Sequence, residues 1–272
     1  MAILRLIFER SHERRRPAPL FWPPRVIGHR GAAGDAPENT FAAFDLALRQ
    51  GADGIEFDVR LSAEGVPVVI HDPRLDRTTS GSGWVCEHSV RALKRLDAGS
   101  WFNRRWPARA RPRYAGLRIP LLAEVLAWVR ERTCLAFVEI KPGSEAQPGI
   151  EASVLEAINH ADAAPLTTVI SFDLAVLQRL RELDSRIFLG VSFNRPLRAL
   201  RRAEAVAARS VLPHWAFAPR AFTRRAHRAG LHVVVWTVNR PTVLRRKILD
   251  GVDGIITDYP ARPTEILTGF QM

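Results

Sequence analysis

A closed (β/α)8 barrel is the fold this 272-residue sequence predicts, and three observations predict it. Eight short apolar runs recur along the chain, most of them separated by an amphipathic segment of helical period. Strand followed by helix repeats to the end, which is the order a parallel sheet requires. Eight such units in about 250 residues favour closure over an open sheet. The third observation is an internal echo: GADGIEFD at 51–58 and GVDGIITD at 251–258 share the pattern G-x-D-G-I-x-x-D. We read it as one helix-to-strand connection used twice, in which Gly51 and Gly251 end helices and the Asp-Gly pair turns the chain into a strand.

The strands are VIGH (26–29), GIEFDV (54–59), LAFVEIK (135–141), TTVISF (167–172), IFLGVSF (187–193), VLPHW (211–215), HVVVWTV (232–238) and GIITD (254–258). The first helix is NTFAAFDLALRQ, with Phe41, Phe44 and Leu48 on one face and Asn39 as its expected cap. After the second strand, SAEG reads as a four-residue hairpin loop, and Pro67 marks the returning strand as an edge. Counting back from that loop pairs Leu61 with Val66, Asp58 with Val69, and Glu56 with His71. The stretch 73–118 is too long and turn-rich for a βα loop, so it is expected to be an insertion at the barrel mouth. Residues 1–24 carry a charge run and prolines without a sustained period, and read as a tail ahead of a barrel at 25–272.

Composition narrows the function classes. No segment is apolar for long enough to span a bilayer, so no stable membrane insertion is expected. MAILRLIFER is too short and too charged for a signal sequence, which makes the cytoplasm the expected compartment. Cys86 and Cys134 lie far apart and form no CxxC pair, against a zinc ribbon or a disulfide scaffold. The formal net charge is +12, but the basic residues are scattered and form no recognised motif, so no nucleic-acid partner is expected. Lysine is scarce, at Lys94, Lys141 and Lys247 alone. A positive field would still raise the encounter rate with an anionic substrate.

The chemistry collects at strand ends. Glu56 and Asp58 stand two apart on a strand and so share a face. Paired inward acids repel unless a cation or a proton lies between them. They suggest a hard-cation site, against the alternative that acids end strands for solubility. Glu139 and Lys141 repeat the spacing with opposite charges. Glu139 would complete a three-carboxylate site and Lys141 would hold a phosphate oxygen; an inward ion pair is the alternative. His29 ends the first strand and His71 is placed beside the acids by the hairpin count. Two imidazoles flanking a phosphodiester suit general acid–base catalysis. Arg30 offers a forked donor to a phosphate oxygen, and Gly28 and Gly31 would let the backbone pass close to a ligand. Trp236 either walls the pocket or packs between helix and sheet, and Trp101 and Phe102 in the insertion are candidates for a lid.

The residues also resemble a known family. GHRG, PENT, EFDV, VVIHD, LDRTTSGSG, LDAGSWF, IPLLAEVL, VEIKP, WTVN and TDYP occur in the order seen in glycerophosphodiester phosphodiesterases, from about Val26 to Pro260. The resemblance implies a TIM-type barrel with an insertion after the second strand, and metal-dependent hydrolysis of glycerophosphodiesters to sn-glycerol 3-phosphate and an alcohol. It places acid–base catalysis on His29 and His71, and phosphate contacts on Arg30 and Lys141. The divalent cation, Mg2+ or Ca2+ with Mn2+ a third candidate, falls to Glu56, Asp58 and Glu139. One departure lies in IPLLAEVL, where Leu121 and Ala123 replace a common Thr and Glu, which weakens a helix cap. A lysophospholipase D, or a phosphodiesterase releasing a cyclic phosphate, would use the same residues. From another class, a non-catalytic barrel binding polyanions is the alternative, although none of the seven motif residues is missing.

Overall fold

The computed structural model describes residues 23–141, 148–195 and 198–270. The tail expected over 1–24 therefore lies outside the described residues, apart from Pro23 and Pro24. Nine strands form one sheet: β1 (Arg25–His29), β2 (Gly54–Leu61), β3 (Pro67–Val69), β4 (Leu135–Ile140), β5 (Thr167–Ser171), β6 (Phe188–Phe193), β7 (Ser210–Pro213), β8 (His232–Val235) and β9 (Gly254–Thr257). The helices are α1 (Phe41–Arg49), α2 (Val90–Leu93), α3 (Ser100–Arg105), α4 (Leu122–Arg132) and α5 (Ile150–His160). They continue as α6 (Leu174–Leu183), α7 (Ala199–Ala205), α8 (Arg220–Arg228), α9 (Pro241–Asp250) and α10 (Ala261–Phe270). Eight strands pair in parallel and β1 closes the ring by pairing with both β2 and β9. The predicted barrel is the fold.

Alternation along each strand divides the core in two. Ile55, Phe57 and Val59 point outward from β2 into the apolar shell under the helices. Ile27, Phe137, Ile170, Leu212, Val234 and Ile256 point inward and fill one layer of the barrel interior. On β2 the inward positions above that layer are Glu56 and Asp58, so the interior changes from apolar to charged within one step of the strand.

The internal echo has a physical basis. Gly51 and Gly251 adopt φ of +85° and +78°, the left-handed conformation that ends α1 and α9. Asp53 then accepts a hydrogen bond from the Val26 N–H (2.8 Å), and Asp253 from the Val233 N–H (2.7 Å). In both copies the carboxylate ties the new strand to its neighbour at the bottom of the barrel. The two echoing strands, β2 and β9, flank β1.

Two local expectations are corrected, and two glycines gain a packing role. Thr40, and not Asn39, caps α1 by accepting from the Ala43 N–H. Asn39 sits at φ +57° and gives its side-chain amide to Asp58 at 2.9 Å. Gly28 and Gly31 are required by packing: a Cβ on Gly28 would lie 2.7 Å from the Ala47 Cβ, and one on Gly31 would lie 2.5 Å from the Ala43 carbonyl carbon. Gly31 also has φ +82°. Gly31→Ala is expected to destabilise the fold by at least about 2 kcal/mol, from left-handed strain and backbone collision together. Thermal unfolding checks this, and a Tm equal to wild type would refute it.

The hairpin register is the second correction. Val59 pairs with Val69, Arg60 with Val68 and Leu61 with Pro67, one residue away from the expected count. Ser62 itself pairs with Val66, so the loop has three residues, with Gly65 at φ +75°. A continued strand would now point His71 outward. The strand instead stops at Val69; the Ile70 N–H still reaches the Asp58 carbonyl, and Arg60 Nε holds the His71 carbonyl at 2.8 Å. The chain bends there, and His71 arrives in the barrel mouth by a different route.

Between β3 and α4 the chain makes its long excursion, carrying α2 and α3. Leu75, Val85, Leu93, Ala98 and Ile119 pack on Val68 and Ile70 into a small core of its own. The excursion is thereby anchored at the mouth. The helix α4 lacks a side-chain cap at Leu121, as the departure there implies, but the Glu124 carboxylate accepts from the Leu121 N–H at 2.9 Å.

Candidate active site

The carboxyl ends of β1, β2 and β4 carry the charged cluster. His29 lies beside Glu56 across the β1–β2 pairing, and Asp58 beside Glu139 across β2–β4. Glu56, Asp58 and Glu139 are all buried, and each offers an oxygen within 4.8 Å of the other two. Lys141 Nζ stands 2.6 Å from Glu139 and 3.0 Å from Asp58. Arg30 Nε lies 3.1 Å from Asp58, and its Nη1 donates to Glu38 at 2.7 Å.

The electrostatics follow from burial and these partners. Burial, reinforced by the adjacent Asp58, pushes the Glu56 carboxyl up to about 8. Burial would also raise Asp58, but Arg30 and Lys141 hold it well below the usual carboxylate range. Glu139 is raised by burial, against the pull of Lys141. Glu56 Oε1 is buried with no hydrogen-bond partner. Three converging carboxylates, one bearing an unsatisfied oxygen, match the oxygen-ligand chemistry of a hard divalent cation.

Both histidines have carboxylate partners. His29 Nδ1 lies 2.7 Å from Asp258, which also accepts from Asn239 Nδ2 at 2.5 Å. Burial opposes protonation of His29, yet the Asp258 hydrogen bond and the charge of Glu56 raise its pKa. His71 Nδ1 lies 2.6 Å from Asp72, which Arg77 Nε grips at 2.5 Å. Arg77 in turn donates to both oxygens of Glu38, at 2.7 and 2.8 Å. The sequence was silent on the roles of Glu38, Asp72, Arg77 and Asp258. For Asp258 a signal existed: in the repeated pattern it occupies the position of Asp58, on the opposite flank of β1.

These groups border two cavities. The inner one, about 320 Å3, is lined by His29, Arg30, Glu56, His71, Glu139 and Lys141, with Phe172 and Trp236 closing one side. Trp236 donates its indole N–H to the Leu212 carbonyl at 2.7 Å and meets Phe172 edge-on. The outer cavity, about 730 Å3, is lined by Trp101 and the arginines of α3, and shares His29 and Arg30 with the inner one. Phe102 does not fit the lid expectation. It is fully buried, edge-on to Tyr114, because helical spacing turns it away from the face that carries Trp101 and Arg105. His214 packs against Trp215 and Trp236, and the buried His227 pairs with Asp253, both outside this cluster.

Comparison with known proteins gives the family. Residues 29–262 match the Glycerophosphoryl diester phosphodiesterase family. A glycerophosphodiester phosphodiesterase of Caldanaerobacter subterraneus subsp. tengcongensis is 36% identical over 239 residues, covering 86% of this chain and 94% of that one. One from Bacillus subtilis is 31% identical over 262 residues, covering 89% and 86% respectively. Among solved structures, a phosphodiesterase from Oleispira antarctica in complex with the product sn-glycerol-3-phosphate superposes with a TM-score of 0.82. It is 30% identical, and the match covers 90% of this chain and 97% of that one. The chain belongs to the glycerophosphoryl diester phosphodiesterase family.

Proposed function

We propose that this glycerophosphodiester phosphodiesterase hydrolyses glycerophosphodiesters to sn-glycerol 3-phosphate and an alcohol, with His29 as general acid and His71 as general base. The observation that carries the reading is the shared inner cavity, where both imidazoles meet Glu56, Glu139, Arg30 and Lys141. Glu56, Asp58 and Glu139 would hold one divalent cation, Mg2+ or Ca2+. Such an ion, when bound, polarises the phosphoryl group and offsets its developing negative charge. Arg30 and Lys141 bind and orient the phosphate oxygens.

Position supports this division of roles between the two histidines. His29 lines both cavities, whereas His71 lines the inner and not the outer. An alcohol leaving toward the roomier outer cavity passes His29, whose Asp258 partner favours the protonated ring. His29 then gives its proton to the alkoxide as the P–O bond breaks. His71, oriented by Asp72, takes a proton from the attacking oxygen on the opposite side.

Release of glycerol 3-phosphate from a panel of glycerophosphodiesters, followed by 31P NMR with and without chelator, tests the reading. A phosphomonoester product with cation present supports it. A cyclic phosphate as the final product would replace it with a cyclase, and no turnover of any diester with Mg2+, Ca2+ or Mn2+ would refute it. No helix among the described residues is long and apolar enough to cross a membrane, and a small-molecule diester is the substrate the cavities fit.

Asp258→Asn provides a separate check on the acid. Loss of the carboxylate removes the larger part of what raises the His29 pKa, leaving the charge of Glu56, so the proton needed by the leaving group is lost at lower pH. The alkaline limb of kcat/KM is expected to move to lower pH, with the acid limb in place. An unmoved alkaline limb would assign the acid role elsewhere.

A further inference from the structure

We infer that the outer cavity selects substrates whose leaving alcohol carries an anionic group, a phosphate or a carboxylate, over neutral and cationic alcohols; the inference rests on the phosphodiesterase reading above. Five arginines line this cavity against two carboxylates, Glu38 and Asp258. Both carboxylates are committed, Glu38 to Arg30 and Arg77, and Asp258 to His29 and Asn239. Arg104 and Arg105 form no ion pair among the described residues. The wall is built by local sequence: Trp101, Arg104 and Arg105 recur at i, i+3 and i+4 along α3 and so share a face.

The aromatic lining resembles, at first sight, a cage for a quaternary ammonium group. Its faces are already taken. The Arg105 guanidinium lies 4.6 Å from the Trp106 ring centre, and Arg77 stands 6.0 Å from that of Trp101. Tyr259 has Arg262 at 3.7 Å and Arg109 at 5.5 Å. A choline or ethanolamine head would have to displace a guanidinium and then sit among like charges. An anionic head meets planar, forked donors suited to phosphate and carboxylate oxygens. The aromatic rings therefore serve to hold the arginines in place.

Two matched substrate pairs test this. Glycerophosphoinositol 4-phosphate differs from glycerophosphoinositol by one phosphate, and glycerophosphoserine differs from glycerophosphoethanolamine by one carboxylate. The anionic member of at least one pair is expected to have a kcat/KM about ten-fold higher, carried by KM, the effect of roughly one added charge-assisted hydrogen bond. Which pair shows the preference identifies the anion. The double variant Arg104→Ala/Arg105→Ala is expected to bring that pair within about two-fold. Parity within both pairs in the wild-type enzyme overturns the inference and leaves the phosphodiesterase reading standing. A preference that survives in the double variant also overturns it. Failure to turn over any of the four substrates overturns the functional reading itself, and this inference with it.

Discussion

His71→Ala is expected to lower kcat by about 10²–10⁴-fold, the range a positioned general base supplies, with the fold intact. The imidazole is only partly exposed, and its ring contact with Asp72 lies at the barrel mouth, outside the apolar core. Its removal therefore takes away a proton acceptor without opening a cavity among packed side chains. Glycerol 3-phosphate release and circular dichroism measured on the same sample give the two readouts. KM is expected to change little, because Arg30 and Lys141 remain to bind the phosphate. Activity within a few-fold of wild type would show that the base has been misassigned.

Removal of divalent cation is expected to abolish turnover, and its return is expected to raise stability. Glu56 and Asp58 are buried side by side, and the raised pKa of Glu56 reports the cost of charging both. A cation that binds the folded state alone adds about 2.7 kcal/mol at a hundred times its Kd. For a domain of this size, that is a rise in Tm on the order of 5–10 °C. Glu56→Gln removes the group that must ionise to hold the cation while nearly preserving shape. It is expected to abolish cation-dependent turnover and most of the cation-induced rise in Tm, without lowering the Tm of the cation-free protein. Thermal scans of both proteins with EDTA, Mg2+, Ca2+ and Mn2+ measure this. Full activity in excess chelator, or a wild-type Tm that none of the ions moves, would contradict the site.

The two results together separate the functions of neighbouring groups. A histidine variant that loses turnover yet keeps the cation-induced rise in Tm places His71 in proton transfer. A glutamate variant that loses both places Glu56 in cation binding. Arg30 joins the two, since it meets Asp58 on one side and Glu38 on the other.

Period and spacing made the barrel legible without coordinates. Eight short apolar runs, most of them separated by a helical segment, have one economical way to bury both faces, and the order of elements dictates parallel pairing. The same alternation put Glu56 and Asp58 on one face and Glu139 and Lys141 on one face, because a strand's side-chain period of two is a local property. Those four residues lie where the spacing placed them. His71 was found on the right side for an incomplete reason: its face depends on loop length, and a loop one residue shorter reverses the parity. Only the bend after Val69 restores it.

What the sequence by itself determined, then, is the barrel and the parity of its charged strand positions, since both arise from periodic contacts between near neighbours. The tertiary structure alone decided which distant charges meet. Asp258 lies 229 residues from His29 and reaches it only because β9 closes the ring beside β1. Glu38 and Arg77, 39 residues apart, pair because the excursion folds back over the loop before α1. Phe102 and Trp101 are adjacent in sequence, yet one is core and the other faces a cavity, set by which side of α3 packs on Ala36, Ala43 and Tyr114. Hydrogen bonds between residues so far apart leave no period in the chain, and they become readable when the barrel closes.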